Sequence, residues 1–269
     1  MISASSKLTN KTNNGLHICV GLDSDLKKIP VHLLSNKNPL LEFNKIVIEN
    51  SYKDAAAYKI NFAFYEKYGS QGFDIISQTL ELIPDDVLTI ADAKRGDIGN
   101  TSQMYAESIF DHFNFDAVTL HPYMGHDSLS PFLEYKDKLN FILALTSNSG
   151  SADFEKLRLE DGKFLYQNVI QKVLEWNQHK NCGIVFGATN SEELKMNISS
   201  FGGLPVLLPG VGVQGGSLED IVRIFSGAKN QNYIVNVSRS LIYSDSTKNF
   251  GAVVNKTLKS YNHSVQSLK

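Results

Sequence analysis

Five absences or near-absences narrow the reading of this 269-residue chain. It has only two cysteines, Cys19 and Cys182, each inside an apolar run. They read as buried free thiols rather than as a disulfide, which fits a reducing cytoplasm. It has no excess of either charge: 26 Lys and Arg stand against 28 Asp and Glu, for a net charge of -2. That leaves no basic footprint for nucleic acid. No apolar run approaches the length of a membrane span. The opening MISASSKLTNKTNNG is polar, with lysine but no arginine and no hydrophobic segment, so neither a secretory signal nor a transit peptide is expected. No Pro- or Ser-rich linker divides the chain, and one domain over residues 1–269 is expected, with residues 1–15 a polar segment or short helix.

What the chain does contain is alternation. Short apolar runs at His17–Leu22, Ala57–Ile60, Val87–Ala91, Ala117–Leu120, Phe141–Leu145, Gly183–Phe186, Pro205–Leu208 and Tyr233–Val237 read as buried strands. Amphipathic stretches lie between them, clearest at Leu40–Lys53, Asn100–Phe113, Phe164–Gln178, Ser191–Ile198, Leu218–Phe225 and Thr247–Tyr261. In the fifth of these, Leu218, Ile221, Val222 and Phe225 share one face, Ser217 is a candidate N-cap, and Gly227 would close the helix. Strand and helix alternate throughout, which predicts an α/β fold. Eight strands are the number that a closed (β/α)8 TIM barrel needs. Residues 147–163 form the longest connection without a predicted element, and a loop of that length is expected to act at an active site.

The strand ends carry the chemistry. Nearly every run exits into polar or special residues, among them Asp23, Lys59, Asp92 with Lys94, His121, Thr146 with Ser147, Pro209 with Gly210, and Ser238 with Arg239. Barrel enzymes build their sites on that face. Polar residues singly mark no more than a strand exit, but two lysines and two aspartates crowd the first three mouths. The most informative stretch is DAKRGDIGNT, Asp92–Thr101, which follows a β-rich run and precedes a helix start. Strand side chains alternate, so Asp92 and Lys94 are expected to point the same way. Buried charges are costly unless paired. The array is either a salt-bridge cluster tying two strands together or a catalytic device. Late in the chain, Gly210, Gly212 and Gly215 satisfy GxGxxG by spacing. A dinucleotide site would need an acid at the end of the following strand. That strand ends in Ser238-Arg239-Ser240. A phosphate site after strands seven and eight, with Arg239 as a bidentate partner, fits better.

These segments together resemble the orotidine 5′-phosphate decarboxylases of the longer bacterial and protozoal type. The matching stretches are GLDSDLKKIP, AAYKIN, DAKRGDIGNT, HPYMGHDSLSPFL, LTSNSG, GKFLYQNV, GATN, LPGVGVQGG and NVSRSLIY, in order over nearly the whole chain. The resemblance implies decarboxylation of orotidine 5′-phosphate to uridine 5′-phosphate and CO₂, the last step of UMP biosynthesis, without metal or cofactor, in a cytoplasmic homodimer. It implies Lys94 as proton donor to C6 and Asp92 against the leaving carboxylate. Lys59 and Asp97 complete an alternating array, with Asp97 and Thr101 reaching in from the other subunit. Asp23 would bind the ribose, and Thr146 or Ser147 the base. Gln214 would bridge base and phosphate, and Arg239 would hold the phosphate beside Pro209 and Gly215. His121 stands where many relatives have Asn, and Ser149 where many have Pro. Two other readings stay open. Mg²⁺-dependent hexulose-phosphate synthases or gulonate-phosphate decarboxylases share the strand-three motif but place an acid where Lys59 stands. A non-catalytic nucleotide-binding barrel would keep Arg239 and Gln214 yet have no use for Lys94.

Overall fold

Eight parallel strands close on themselves in chain order in the computed structural model, which describes residues 2–212 and 215–268. They are β1 Ile18–Gly21, β2 Ala57–Asn61, β3 Leu88–Arg95, β4 Ala117–Leu120, β5 Leu139–Leu145, β6 Cys182–Phe186, β7 Val206–Pro209 and β8 Tyr233–Val237. β1 closes the ring by pairing with β8, with Cys19 opposite Asn236. The barrel expected from the eight apolar runs is present, strand for strand. The main difference is β3, which continues past Ala91 through Asp92 and Lys94 to Arg95.

The helices are α1 Ala4–Asn13, α2 Pro39–Glu49, α3 Ala63–Glu66, α4 Ser70–Leu80, α5 Gly99–Glu107, α6 Ser130–Leu133, α7 Leu165–Trp176, α8 Ser191–Asn197, α9 Leu218–Gly227, α10 Arg239–Ile242 and α11 Phe250–Ser267. Ser217 caps α9 by accepting from the Asp220 N–H at 3.1 Å, as expected. The helix runs through Gly227 to a cap at Ala228, and Lys229 rather than the glycine takes the left-handed turn, with φ of 52°. α4 has no counterpart among the amphipathic stretches read from the sequence. Its Gly72 is a weak helix former, but a Cβ there would lie 1.8 Å from the Tyr65 carbonyl oxygen. Packing dictates this helix more than local propensity does.

Side-chain alternation divides the core in two. Residues such as Cys19, Ala57, Leu88, Ile90, Ala117, Phe141, Val185, Leu207 and Ile234 fill the barrel interior. Their neighbours Val20, Tyr58, Ala91, Val118, Ile142, Ile184, Leu208 and Val235 face the helices. This in-and-out pattern is what a parallel barrel under a helical ring requires. The N-terminal segment is a helix, not a polar tail. Ala4 and Leu8 of α1 join the interior cluster, and Lys7 pairs with Asp116 at 2.7 Å. α1 thereby closes the end of the barrel opposite the strand mouths. Both cysteines are buried and free, and burial pushes each thiol up to about 12. No described helix is long and apolar enough to cross a membrane.

The connection over residues 147–163 is less structureless than expected. It holds a 3₁₀ turn at Ser149–Asp153 and a bridge between Arg158 and Phe164.

Candidate active site

The carboxyl ends of the strands open into a cavity of about 320 Å³. Asp23, Lys59, Asp92 and Lys94 line one part of its wall, Thr146 and Ser147 another, and Pro209, Gly210 and Arg239 a third. Interior alternation explains the first group. Asp23 continues Cys19 and Gly21 at a spacing of two, Lys59 continues Ala57, and Asp92 continues Leu88 and Ile90. The apolar interior therefore turns charged in its uppermost layer.

Asp92 is the centre of that layer. Its Oδ2 accepts from Lys59 Nζ at 2.7 Å and its Oδ1 from Lys94 Nζ at 2.6 Å. Lys59 Nζ also lies 3.8 Å from Asp23 Oδ1, so the array extends one carboxylate further than the sequence reading took it. Burial alone would raise the Asp92 pKa, but the ammoniums of Lys59 and Lys94 outweigh it and hold the carboxyl well below the usual range. Burial alone would lower the Lys59 pKa, but Asp92 and then Asp23 outweigh it and hold the ammonium above its ordinary value. The stabilising contribution of Asp92 is therefore complete above the unfolded carboxylate pKa of about 3.9, and is lost as pH falls through the lower folded value. That of Lys59 is complete below about 10.4 and is lost as pH rises through the higher folded value. Between those limits both groups stay charged.

Lys94 reaches Asp92 by a different route from simple strand alternation. Its φ is +47°, and the β3–β4 register shifts between Ala91 and Arg95. A left-handed conformation costs a lysine about 1–2 kcal/mol. Thr119 of β4 supplies the hold: its Oγ1 accepts the Lys94 N–H at 3.0 Å and donates to Asp92 Oδ1 at 3.1 Å. One buried hydroxyl thus fixes both the backbone of Lys94 and the carboxylate of Asp92.

Other expected residues fall in two groups. Asp97 and Thr101 do not line this cavity. Asp97 Oδ1 accepts the Ile98 N–H at 2.8 Å, and Thr101 is exposed on α5. At the end where a phosphate is expected, Gly210, Gly212 and Gly215 all take positive φ, between 87° and 106°, which a side chain would strain. Gln214 lies outside the described residues. Thr146 lines the cavity although its spacing from Phe141 is odd, because the β5–β6 register shifts between Leu143 and Leu145. Phe62 and Tyr65 are core residues of the chain itself, buried among its own side chains. His126 packs against Trp176 with ring centroids 5.5 Å apart, a structural contact.

Comparison with known proteins agrees with this geometry. The model of the family described as orotidine 5′-phosphate decarboxylase / HUMPS matches residues 16–250. An orotidine 5′-phosphate decarboxylase of Dehalococcoides mccartyi is 47% identical over 247 residues, covering 91% of this chain and 89% of the relative. One of Porphyromonas gingivalis is 48% identical over 238 residues, covering 87% and 86%. The chain belongs to the orotidine 5′-phosphate decarboxylase family. Among solved structures, the OMP decarboxylase of Leishmania donovani superposes with a TM-score of 0.83 at 34% identity, covering 98% of this chain and 99% of that one. The UMP synthase of the same organism gives 0.88 at 35% identity, and this chain spans 57% of its length.

Within this orotidine 5′-phosphate decarboxylase fold, sequence reasoning missed three contributors, Thr119, Asn236 and Tyr243, and met Ser238 only as a polar residue at a strand exit. Thr119, Asn236 and Ser238 line the cavity. The first two are polar residues at interior-facing positions of apolar strands, and that parity was the available signal. Tyr243 donates its hydroxyl to the Asp23 carbonyl at 3.0 Å and accepts the Asp25 N–H at 2.8 Å, fixing the mouth of β1. Nothing in local sequence points to it.

Hydrogen bonds to charged groups contribute about 1.5–3 kcal/mol. Thr119→Val, which keeps shape but removes the hydroxyl, is expected to lower kcat by about 10- to 100-fold with a smaller change in KM, while Thr119→Ser stays near wild type. Steady-state kinetics of the two variants checks this.

Proposed function

We propose that the charged line at the barrel mouth carries out the decarboxylation of orotidine 5′-phosphate to uridine 5′-phosphate and CO₂, with Lys94 as the proton donor. The observation that carries this reading is Asp92, ionised between two ammoniums in the same cavity that Arg239 and the glycine loop line. Loss of CO₂ from C6 leaves an electron pair on a ring carbon with no ordinary sink. A fixed positive charge beside that carbon stabilises it electrostatically. Lys94 is half-exposed and faces the cavity, so its ammonium can take that place. It then gives one proton to C6, and solvent returns that proton to the amine. Asp92 would meet the substrate carboxylate as a like charge, relieved as CO₂ departs. Lys59, held by Asp23 and Asp92, keeps Asp92 ionised while substrate binds.

The same arrangement speaks against a metal-dependent reaction. The Lys59 ammonium already sits between the Asp23 and Asp92 carboxylates, and a divalent cation there would meet a like charge. Full turnover in EDTA, followed by the fall in ultraviolet absorbance of orotidine 5′-phosphate, tests this function directly. Loss of activity restored by Mg²⁺ would refute it.

The remaining roles follow the same logic. Asp23 Oδ1 and Ser238 Oγ are buried without a hydrogen-bond partner among the described residues, which suits Asp23 to a ribose hydroxyl. Thr146 and Ser147 face the base, and Gln214 bridges base and phosphate. Arg239 holds the phosphate beside Pro209 and Gly215, where remote binding energy can organise the site. Asp97 and Thr101 serve the neighbouring subunit of a homodimer. Ile98, Met104 and Tyr105, close to them in the chain, are exposed apolar side chains suited to burial against a second copy.

Lys94→Ala is expected to lower kcat at least about 10³-fold while UMP still binds. Near-normal turnover would remove Lys94 from the mechanism. Arg239→Ala is expected to lower kcat/KM about 100-fold or more with little change in thermal stability. Mixing inactive Asp97→Ala and Lys94→Ala homodimers is expected to regain about a quarter of wild-type activity. A mixed dimer collects both defects in one site and leaves the other intact. No regain on mixing would refute the shared site.

A further inference from the structure

The connection after β5 folds back onto the strand that it leaves. Glu155 accepts the Thr146 N–H through Oε2 at 2.7 Å, and its Oε1 lies 2.8 Å from Thr146 Oγ1. The hydroxyl also lies 2.7 Å from Asn148 Oδ1, so its single proton is shared between two acceptors of the same loop. One carboxyl group therefore reaches both the amide and the hydroxyl of Thr146, one oxygen to each. The next residue works from the other side. Lys156 Nζ lies 3.3 Å from Asn190 Oδ1 and pairs with Glu193, and Asn190 Nδ2 donates to the Thr146 carbonyl at 3.0 Å. Two consecutive loop residues therefore hold the amide and, through Asn190, the carbonyl of one cavity-lining residue.

Neighbouring contacts extend the brace by one residue. Thr189 Oγ1 donates to the Ser147 carbonyl at 3.2 Å. A Cβ on Gly187 would lie 2.7 Å from the Ser147 nitrogen, so the backbones touch here and only glycine fits. The brace has its own footing, because the Tyr166 N–H of α7 donates to the Glu155 carbonyl at 2.9 Å. Glu155 does not line the cavity, whereas Thr146 and Ser147 do.

We infer that Glu155 is a positioning residue for pyrimidine recognition: with Lys156 and Asn190 it fixes Thr146 and Ser147 against the base, making residues 147–163 a brace rather than a lid. This rests on the reading that Thr146 and Ser147 face the base. The experiment compares inhibition by UMP, which carries the base, with inhibition by ribose 5-phosphate, which lacks it. Glu155→Ala is expected to weaken UMP at least tenfold and to leave ribose 5-phosphate within twofold. Glu155→Gln, which keeps one acceptor oxygen and the side-chain size, is expected to recover most of the loss. If the alanine variant does not fold, Asn190→Ala, which frees the Thr146 carbonyl, carries the test with the same expected split between the two inhibitors. Equal weakening of both inhibitors, or no weakening of either, overturns the inference. Thr146→Val and Ser147→Ala, measured in the same way, separate its failure from that of the underlying reading. If both leave the ratio of the two inhibition constants unchanged, the base contact itself is wrong and the inference falls with it. If they shift the ratio and Glu155→Ala does not, the base contact stands and the brace alone is refuted.

Discussion

One carboxylate between two ammoniums sets the terms for the rest of this protein. Taking Asp92 and Lys59 out of water costs several kcal/mol for each ion, and their attraction offsets that cost only with short, well-directed hydrogen bonds. The barrel provides that precision. Adjacent parallel strands bring the Lys59 ammonium to 2.7 Å from Asp92, Tyr243 pins the backbone of Asp23, and Thr119 pins Lys94 in a backbone conformation that it would not choose alone. Strain at Lys94 is local, but the hydrogen bonds that hold it reach across β3 and β4. A site with this geometry cannot sit on a free loop. Lys59, Asp92 and Lys94 lie within two strands, and the hydroxyl that locks Asp92 and Lys94 belongs to a third.

The glycine-rich end of the cavity obeys different rules. There the loop after β7 exposes backbone at three positive-φ glycines, and Arg239 opens the turn after β8. Nothing in that arrangement resembles the dense pairing around Asp92. On the proposed reading, a flexible anion would be gripped by backbone and one guanidinium, whereas the reacting carbon would meet charges already fixed in place. The division suits a reaction in which binding energy is gathered at one end and spent at the other.

Much of this was legible in the chain. Eight apolar runs and their alternation with helices gave the barrel, and counting by twos from Cys19, Ala57 and Leu88 reaches Asp23, Lys59 and Asp92. The same count, carried along β4 and β8, would have reached Thr119 and Asn236. Pairwise spacing failed where the strands are irregular. Lys94 keeps its partner through a left-handed turn instead of simple alternation, and Thr146 enters the cavity only because β5 shifts register beside β6. Such shifts are set by packing against the next strand, which no local pattern encodes. α4 escaped for a related reason: tertiary contact at Gly72, not propensity, decides it.

The ten residues from Asp92 to Thr101 would be enough chain for the proposed shared site. Asp92 and Lys94 point inward on β3. Three residues past Lys94, Asp97 is turned away and tied to the Ile98 amide, and α5 begins at Gly99 with Thr101 on its exposed face. The reversal follows from the exit of the strand, because a chain leaving the barrel must cross its rim, and the rim is where a second copy would sit. The apolar side chains of Ile98 and Met104 flank the outward-facing residues and would exclude water from such a contact. A homodimer built this way couples assembly to chemistry. The same rim that buries apolar surface would deliver the last charge of each array, so a separated subunit would keep Asp92 paired and folded yet lack the carboxylate that completes the line.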